Sequence, residues 1–415
     1  MFDIILNQRV QENPKKIFIT YQNRQISYSV FNSMVNNYYE QLKTKKDEYI
    51  GLQIKDKLKL LIAIVALNKK QSIPIIYPNH PNIEDFISTT NIPISIKNFD
   101  ISDIKNILPA TDESNIHNTQ VVMFTSGSTG KQKPCEITYS NFYESAKMWD
   151  GIIKFKNTDI YLNHMPLSHV SGLCIFFRAL YCNFEMILDD FSVENYFKYS
   201  KKINLVSMVP YMLDKILNSS EDINFENMKS VIIGGDNMNI DLIDKIKMKK
   251  IPAYISYGLT ESCSGIAGLW IDKYQKDLIY HVHQKVKLNL SNKMLEISSP
   301  TIIKKYFNTK KILNNRFTTS DNVEIFNKDK FKFKYRSDDI IISGGENISI
   351  TYVNKILMKF EEINFCSIKI IEDEHWGQAM HATLGSDQNI DIVEFKKELK
   401  NHLPNFMIPK KIILK

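Results

Sequence analysis

The feature that most constrains this chain is a series of short, β-branched apolar runs, each followed by residues with helical spacing. The runs are YIGLQI (49–54), SIPIIY (72–77), VVMF (121–124), NLVSMV (204–209), SVIIGG (230–235) and AYISYG (253–258). Strands apolar on both faces need cover on both faces, and the intervening helices supply it. The pattern therefore predicts an α/β fold built on a largely parallel sheet. Beyond residue 290 the pattern changes. KMLEIS (293–298), NVEIFN (322–327) and KFKFKY (330–335) alternate apolar with polar residues, as small antiparallel strands do. After residue 336 a second βα pattern begins, in which Ile392, Phe395, Leu399 and Leu403 fall on one helical face and give a small α+β domain its packing stripe. The domain boundary is expected at Ser337–Asp338, giving a large N-terminal domain (1–337) and a small C-terminal one (338–415).

Composition narrows the function. The net charge of +7 is spread along the chain, without the dense Lys/Arg block of a nucleic-acid arm, so nucleic acid is not an expected partner. The longest apolar run, LLIAIVAL (60–67), is far short of a membrane span. The five cysteines form no CxxC and no zinc spacing, and the N-terminus lacks the order of a signal peptide. The expected location is the cytoplasm, with reduced thiols.

FTSGSTGKQK (124–133) carries the chemistry furthest. It follows VVMF and precedes a helix (SNFYESAKMW) that Ser140 could cap. A Walker A loop needs four residues between its glycines and a Ser or Thr after its lysine. Here two residues separate Gly127 from Gly130, and Gln132 follows Lys131, so that reading fails. The loop still offers hydroxyls from Thr125, Ser126, Ser128 and Thr129, close backbone approach at the glycines, and the charges of Lys131 and Lys133. Alone, such a loop is more often a solvated turn. In SYGLTE (256–261), Tyr257 beside Gly258 can stack on a purine, Thr260 can bond a phosphate, and Glu261 can hold magnesium against a triphosphate; the plain alternative is a strand end with an exposed glutamate. In FTTSDN (317–322), Asp321 can accept from ribose hydroxyls. In YRSDDIIISGGENIS (335–349), Arg336 is a fixed cation suited to nucleotide oxygens, Ser337–Asp338 a hinge and Gly344–Gly345 a tight turn. Each of these is otherwise a loop carboxylate or a surface ion pair. His281 and His283 share a strand face, with no third metal ligand near in sequence.

Taken together, in this order, the four motifs resemble those of the acyl-adenylate-forming enzymes, which include the acyl-CoA synthetases and firefly luciferase. The likeness spans about residues 120–409. It implies a large N-terminal adenylate-forming domain of mixed and parallel sheets packed by helices, and a small mobile C-terminal domain that rotates between two half-reactions. It further implies ATP, magnesium and coenzyme A, a carboxylate substrate, and assembly as a homodimer. By the same resemblance Thr125, Ser126, Thr129 and Lys133 meet the β- and γ-phosphates, Gly127, Ser128 and Gly130 complete the nucleotide-binding loop, and Glu261 with Thr260 serves the magnesium triphosphate. Tyr257 stacks on the adenine, Gly234, Gly235, Ser256 and Gly258 are nucleotide-binding, Asp321 and Arg336 hold the ribose and neighbouring oxygens, and Asp338 is the pivot.

MPLSHVSGLCIFFRAL (165–180), IIGGDNMN (232–239), SYGLTESCS (256–264) and HWGQ (375–378) are most similar to the 2-succinylbenzoate–CoA ligases of menaquinone and phylloquinone synthesis. Within that likeness His169 resembles the pocket histidine near the substrate carboxylate. Arg178, on the helix after it, is expected to pair with a second substrate carboxylate, or else with Asp189 or Asp190. Three departures are visible. The family's lysine in a glycine–lysine loop would follow LPNFMIPKKIILK, where the sequence ends at Lys415, and Lys410, Lys411 and Lys415 do not sit in its context. HVHQKVKLNL (281–290) is poor in glycine, and Ser320 stands where the family has glycine. The expectation is thus an apparently truncated C-terminal domain on an AMP-forming acid–thiol ligase. The alternatives are another acyl- or aryl-CoA ligase, or a non-catalytic homologue that binds ATP or acyl-adenylate.

Overall fold

The structure is a computed structural model and describes residues 2–101, 115–125, 132–221, 223, 225–236, 238, 240–343, 346–373, 376–388 and 390–414. Two large sheets dominate the first 336 residues. The larger has thirteen strands. Its middle is a parallel block in the order Ala253–Leu259, Ser230–Ile233, Leu205–Met208, Ile160–Asn163, Glu185–Leu188 and Ile17–Tyr21. Antiparallel strands continue from Ala253–Leu259 through Ser264–Trp270 and Ile279–Val282 to Lys330–Arg336 and Arg316–Asn327. The second sheet has six strands and holds Tyr49–Leu52, Ile73–Ile76, Thr119–Phe124 and Pro134–Thr138.

The six apolar runs are all strands, but they do not share one sheet. The first three lie in the six-stranded sheet and the last three in the thirteen-stranded one. Apolar character reports that a strand is covered on both sides; it does not say which strand lies beside it. The run LLIAIVAL explains part of the cover. It forms most of the helix Lys57–Lys69, where every side chain from Leu60 to Leu67 is buried, as expected of a helix that is apolar all round. Asp56 caps it by accepting from the Lys59 amide at 2.9 Å. Among the described residues no helix is long and apolar enough to cross a membrane.

Capping corrects one sequence expectation. The helix after the phosphate motif is Tyr139–Ile153, so Ser140 lies in its first turn. Its cap is Thr138, which exchanges hydrogen bonds with Asn141 in a capping box. Asn141 also donates to the Ile302 carbonyl at 2.8 Å, pinning the helix to the segment before Tyr306.

Residues 340–414 build a five-stranded sheet with the helices Ile350–Leu357 and Ile392–Leu399. Its core, including Ile348, Val353, Leu357, Phe395, Leu399 and Leu403, draws among the described residues on none before Ile341. Phe395, Leu399 and Leu403 are buried and Ile392 is partly so, which is the stripe the helical spacing describes. Ser349 and Asp391 cap the two helices.

Candidate active site

The site is organised by the hairpin of Ala253–Leu259 and Ser264–Trp270. The strands approach so closely at Gly258 that a Cβ there would stand 2.3 Å from the Ser264 carbonyl oxygen and 2.6 Å from the Gly265 Cα. Between them the chain makes one tight turn, Thr260–Ser262, and returns through two left-handed residues, Cys263 (φ 49°) and Ser264 (φ 101°). Non-glycine residues in this region are strained, and strain of this kind persists only where surrounding bonds fix it. Here they do. The Ser262 hydroxyl accepts from the Leu259 amide at 3.0 Å and donates to the Ser264 carbonyl at 2.8 Å, while the Ser145 hydroxyl donates to the Cys263 carbonyl at 2.8 Å. Thr260 and Glu261 are thereby presented on a fixed turn.

Glu261 is held at two points. The Ile303 amide donates to its carbonyl at 2.9 Å, and the Tyr306 hydroxyl donates to its Oε1 at 2.7 Å. Burial and the neighbouring Glu261 carboxylate push the Tyr306 hydroxyl far above its usual pKa, so it stays a donor. Tyr306 belongs to the short strand Lys305–Tyr306, paired with Pro134–Thr138, and Lys133 places its Nζ 5.6 Å from the centre of the Tyr306 ring. Thr125 and Lys133 close the base of the phosphate motif, with hydrogen bonds of 3.0 Å between Thr125 N and Lys133 O and between Lys133 N and the Thr125 hydroxyl. Ser126, Gly127, Ser128, Thr129, Gly130 and Lys131 lie outside the described residues, as do Gly344 and Gly345.

A second cluster forms beside the same hairpin. Asp321 and Arg336 face each other on paired strands, with Arg336 Nε 3.4 Å from Asp321 Oδ1. The Tyr257 hydroxyl donates a short hydrogen bond to Asp321 Oδ2. Burial and the Asp321 carboxylate raise the Tyr257 pKa well above its usual value. Its ring packs against Phe331 at 5.0 Å and Tyr280 at 5.7 Å. Asp321 is only 4% exposed, so the carboxylate is buried while the Arg336 side chain reaches towards the surface. Gly234 and Gly235 arrive next to Ser256 because Ile233 pairs with Ile255; Gly235 has φ +84°, and a Cβ on Gly234 would press on the Ser256 carbonyl at 3.3 Å.

The helix Val170–Cys182 packs on the hairpin's other side. His169 is its N-cap residue, exposed, its carbonyl accepting from the Gly172 and Leu173 amides while its imidazole makes no cap bond. Arg178 is 2% exposed. Its Nη2 donates to the Ser264 hydroxyl at 2.8 Å, its guanidinium lies 4.7 Å from the Trp149 ring centre, and its Nε has no partner among the described residues. The alternative of an ion pair with Asp189 or Asp190 is not what forms. Asp190 pairs with Lys57 at 3.1 Å and Asp189 with Lys198 at 4.0 Å. Asp338 lies in the turn Ser337–Asp339, immediately after Arg336.

His281 and His283 do not make a metal pair. His281 is exposed, whereas His283 is 2% exposed and bonded to the Tyr254 hydroxyl at 2.8 Å. Among the described residues no three metal-ligating side chains gather. A single carboxylate at Glu261 does fit magnesium, which binds through one or two carboxylates and keeps substrate phosphates and water as its other ligands. Sequence reasoning missed Tyr306, Ser264 and Trp149. Tyr306 lies in a two-residue strand that no periodicity marks, and Trp149 reads as one core aromatic on an amphipathic helix.

A model of the family described as AMP-binding enzyme matches residues 79–287. The 2-succinylbenzoate–CoA ligase of Bacillus licheniformis is 28% identical over 335 residues, covering 75% of this chain and 70% of that one. The 2-succinylbenzoate–CoA ligase of Staphylococcus epidermidis is 25% identical over 443 residues, covering 98% and 92%. Among solved structures, O-succinylbenzoate coenzyme A synthetase from Bacillus subtilis in complex with ATP and magnesium ion superposes with a TM-score of 0.87 at 21% identity, covering 99% of this chain and 95% of that one. The same synthetase in complex with its acyl-adenylate intermediate gives 0.85. At this level of identity the structural likeness establishes a shared fold.

Proposed function

The chain belongs to the AMP-binding enzymes, and from that premise we propose that it is an AMP-forming acid–CoA ligase acting on 2-succinylbenzoate. The observation that carries the reading is the convergence at one hairpin of the Tyr257–Asp321–Arg336 cluster and the Thr260–Glu261 turn. Relatives named 2-succinylbenzoate–CoA ligase support the choice of acid. So does Arg178, a buried cation that no carboxylate accompanies among the described residues, on the helix that His169 begins.

In the first half-reaction the substrate carboxylate attacks the α-phosphorus of ATP, the bond to the β-phosphate oxygen breaks, and pyrophosphate leaves. In the second, the thiol of coenzyme A attacks the acyl carbon, losing its proton, and AMP leaves. Positioning and charge stabilisation carry such transfers. We assign Thr125, Ser126, Thr129 and Lys133 to the leaving pyrophosphate, and Tyr257 with Gly234, Gly235 and Ser256 to the adenine. Asp321 and Arg336 hold the ribose side, with the Tyr257 hydroxyl fixing the Asp321 carboxylate. His169 faces the reacting carboxylate and Arg178 the second one. Glu261 would hold magnesium, which when bound would screen the phosphate charge. Two units, 1–337 and 338–415, exchange half-reactions about Asp338. The reading includes a cytoplasmic location, expected from the cysteine pattern and the N-terminus, and a homodimer, carried by the family resemblance.

Pyrophosphate release from MgATP tests the proposal, with 2-succinylbenzoate, benzoate and a medium-chain fatty acid compared, each with and without coenzyme A. Release specific to 2-succinylbenzoate, with a thioester once coenzyme A is added, is expected. Release with the other acids instead would reassign the substrate, and ATP binding without release from any acid would overturn the ligase.

A further inference from the structure

Glu261 and Lys133 carry opposite charges towards the same triphosphate, yet they form no ion pair with each other. Tyr306 stands between them. Its hydroxyl holds Glu261 Oε1 at 2.7 Å and its ring face carries the Lys133 ammonium at 5.6 Å. The tyrosine is itself fixed. Its strand pairs with the one that leaves the phosphate motif, Tyr306 opposite Cys135, and the Ile303 amide a few residues earlier holds the Glu261 main chain. Among the described residues Glu261 Oε2 has no hydrogen-bond partner, so one oxygen is oriented and the other left to face a cation.

We propose that Tyr306 is a positioning residue for the nucleotide: it orients the Glu261 carboxylate for a magnesium ion on the triphosphate, and keeps Lys133 from neutralising it. Magnesium demands near-octahedral geometry, so the direction of a single protein carboxylate matters. Hydrogen bonds behind a ligating group commonly change metal affinity by about 10–100-fold. A long lysine and a glutamate close together would otherwise collapse into a pair, and each nucleotide would then have to separate them before binding. The tyrosine ring prevents this by occupying the space, and it keeps a weak attraction for the ammonium. The inference rests on Glu261 being the magnesium carboxylate.

The test is binding, not turnover. Magnesium is titrated into the full chain with α,β-methylene ATP, which cannot transfer its adenylyl group, and binding is followed by calorimetry for wild type, Tyr306→Phe, Glu261→Gln and the double variant. Tyr306→Phe keeps the ring and removes only the hydroxyl. It should raise the half-saturating magnesium concentration about tenfold, with nucleotide binding in EDTA unchanged. In the Glu261→Gln background the same change should have no further effect, since Tyr306 acts through Glu261. An unshifted magnesium requirement in Tyr306→Phe, or an equal shift in both backgrounds, overturns the inference while leaving Glu261 as the ligand. Wild-type binding indifferent to magnesium removes the premise, and the inference with it. Thermal midpoints taken on all four proteins identify any variant that is misfolded; for such a variant Tyr306→Leu, which has no side-chain donor, gives the same comparison.

Discussion

Replacing Arg178 with methionine separates a binding role from a structural one. Arg178 is 2% exposed, donates at 2.8 Å to the neutral Ser264 hydroxyl, also bonds the neutral Tyr161 hydroxyl, and leaves its Nε without a partner among the described residues. Desolvating a guanidinium costs several kcal/mol. The contact with Trp149 returns about 2 kcal/mol and each hydrogen bond from the charged group about 1.5–3 kcal/mol. An unpaired buried charge is thus close to break-even or a net loss for the empty protein, and apolar replacements of similar volume commonly leave stability unchanged or raise it by about 1–4 kcal/mol. Arg178→Met should therefore hold or raise the thermal midpoint. The second carboxylate of the substrate should meet this cation out of water, where losing one partner costs about 2–5 kcal/mol, or roughly 30- to 4,000-fold. Steady-state pyrophosphate release should show a loss in kcat/KM of that order for 2-succinylbenzoate, and less than about threefold for benzoate. Equal losses for both acids, or a lowered thermal midpoint, would mean that Arg178 serves the fold and that the reasoning is wrong.

Two further outcomes follow from the geometry around the hairpin. Gly258→Ala places its Cβ against backbone atoms, which cannot rotate away, so a destabilisation of about 3 kcal/mol and weakened nucleotide binding are expected. Urea unfolding within about 0.5 kcal/mol of wild type would show that the strands move apart freely. Burial lowers the pKa of His164 to about 4 and of His283 to about 3, against 6.5 when exposed. Both are neutral in the folded chain, and the unfolded chain takes up their protons first as the pH falls. Their contribution is therefore whole above about pH 6.5 and declines on acidification, by roughly 2 kcal/mol each at pH 5. His283→Gln should remove about half of that decline in urea unfolding compared at pH 7 and pH 5; an identical pH dependence in the variant would contradict the assignment.

Much of this was legible in the sequence, for identifiable reasons. Tyr257, Gly258, Thr260 and Glu261 are neighbours in the chain, so their motif survives as a string. Asp321 and Arg336 stand fifteen residues apart, but two alternating strands joined by a short turn place them opposite one another. Other features depend on distant partners. Which sheet a buried strand joins is decided by pairing between segments tens of residues apart. Thr138 outcompetes Ser140 as a cap because Asn141 completes the box, a side-chain geometry that propensity does not weigh. The hairpin Ile17–Tyr21/Arg24–Ser27 turns through Gln22 and Asn23 at positive φ, without the glycine that usually marks such a turn. Tyr306 and Trp149 acquire their meaning only from what packs against them.

The ribbon of Arg316–Asn327 and Lys330–Arg336 has a mechanical consequence. It is paired through to its final residue, Arg336 against Asp321, and the Ser337 hydroxyl extends the tie by donating to the Ser320 carbonyl at 2.9 Å. Torque on the chain beyond residue 337 is thus borne by a braced beam of the thirteen-stranded sheet. The proposed pivot at residue 338 would turn beyond that ribbon, with the tie between Asp321 and Arg336 on the near side of it.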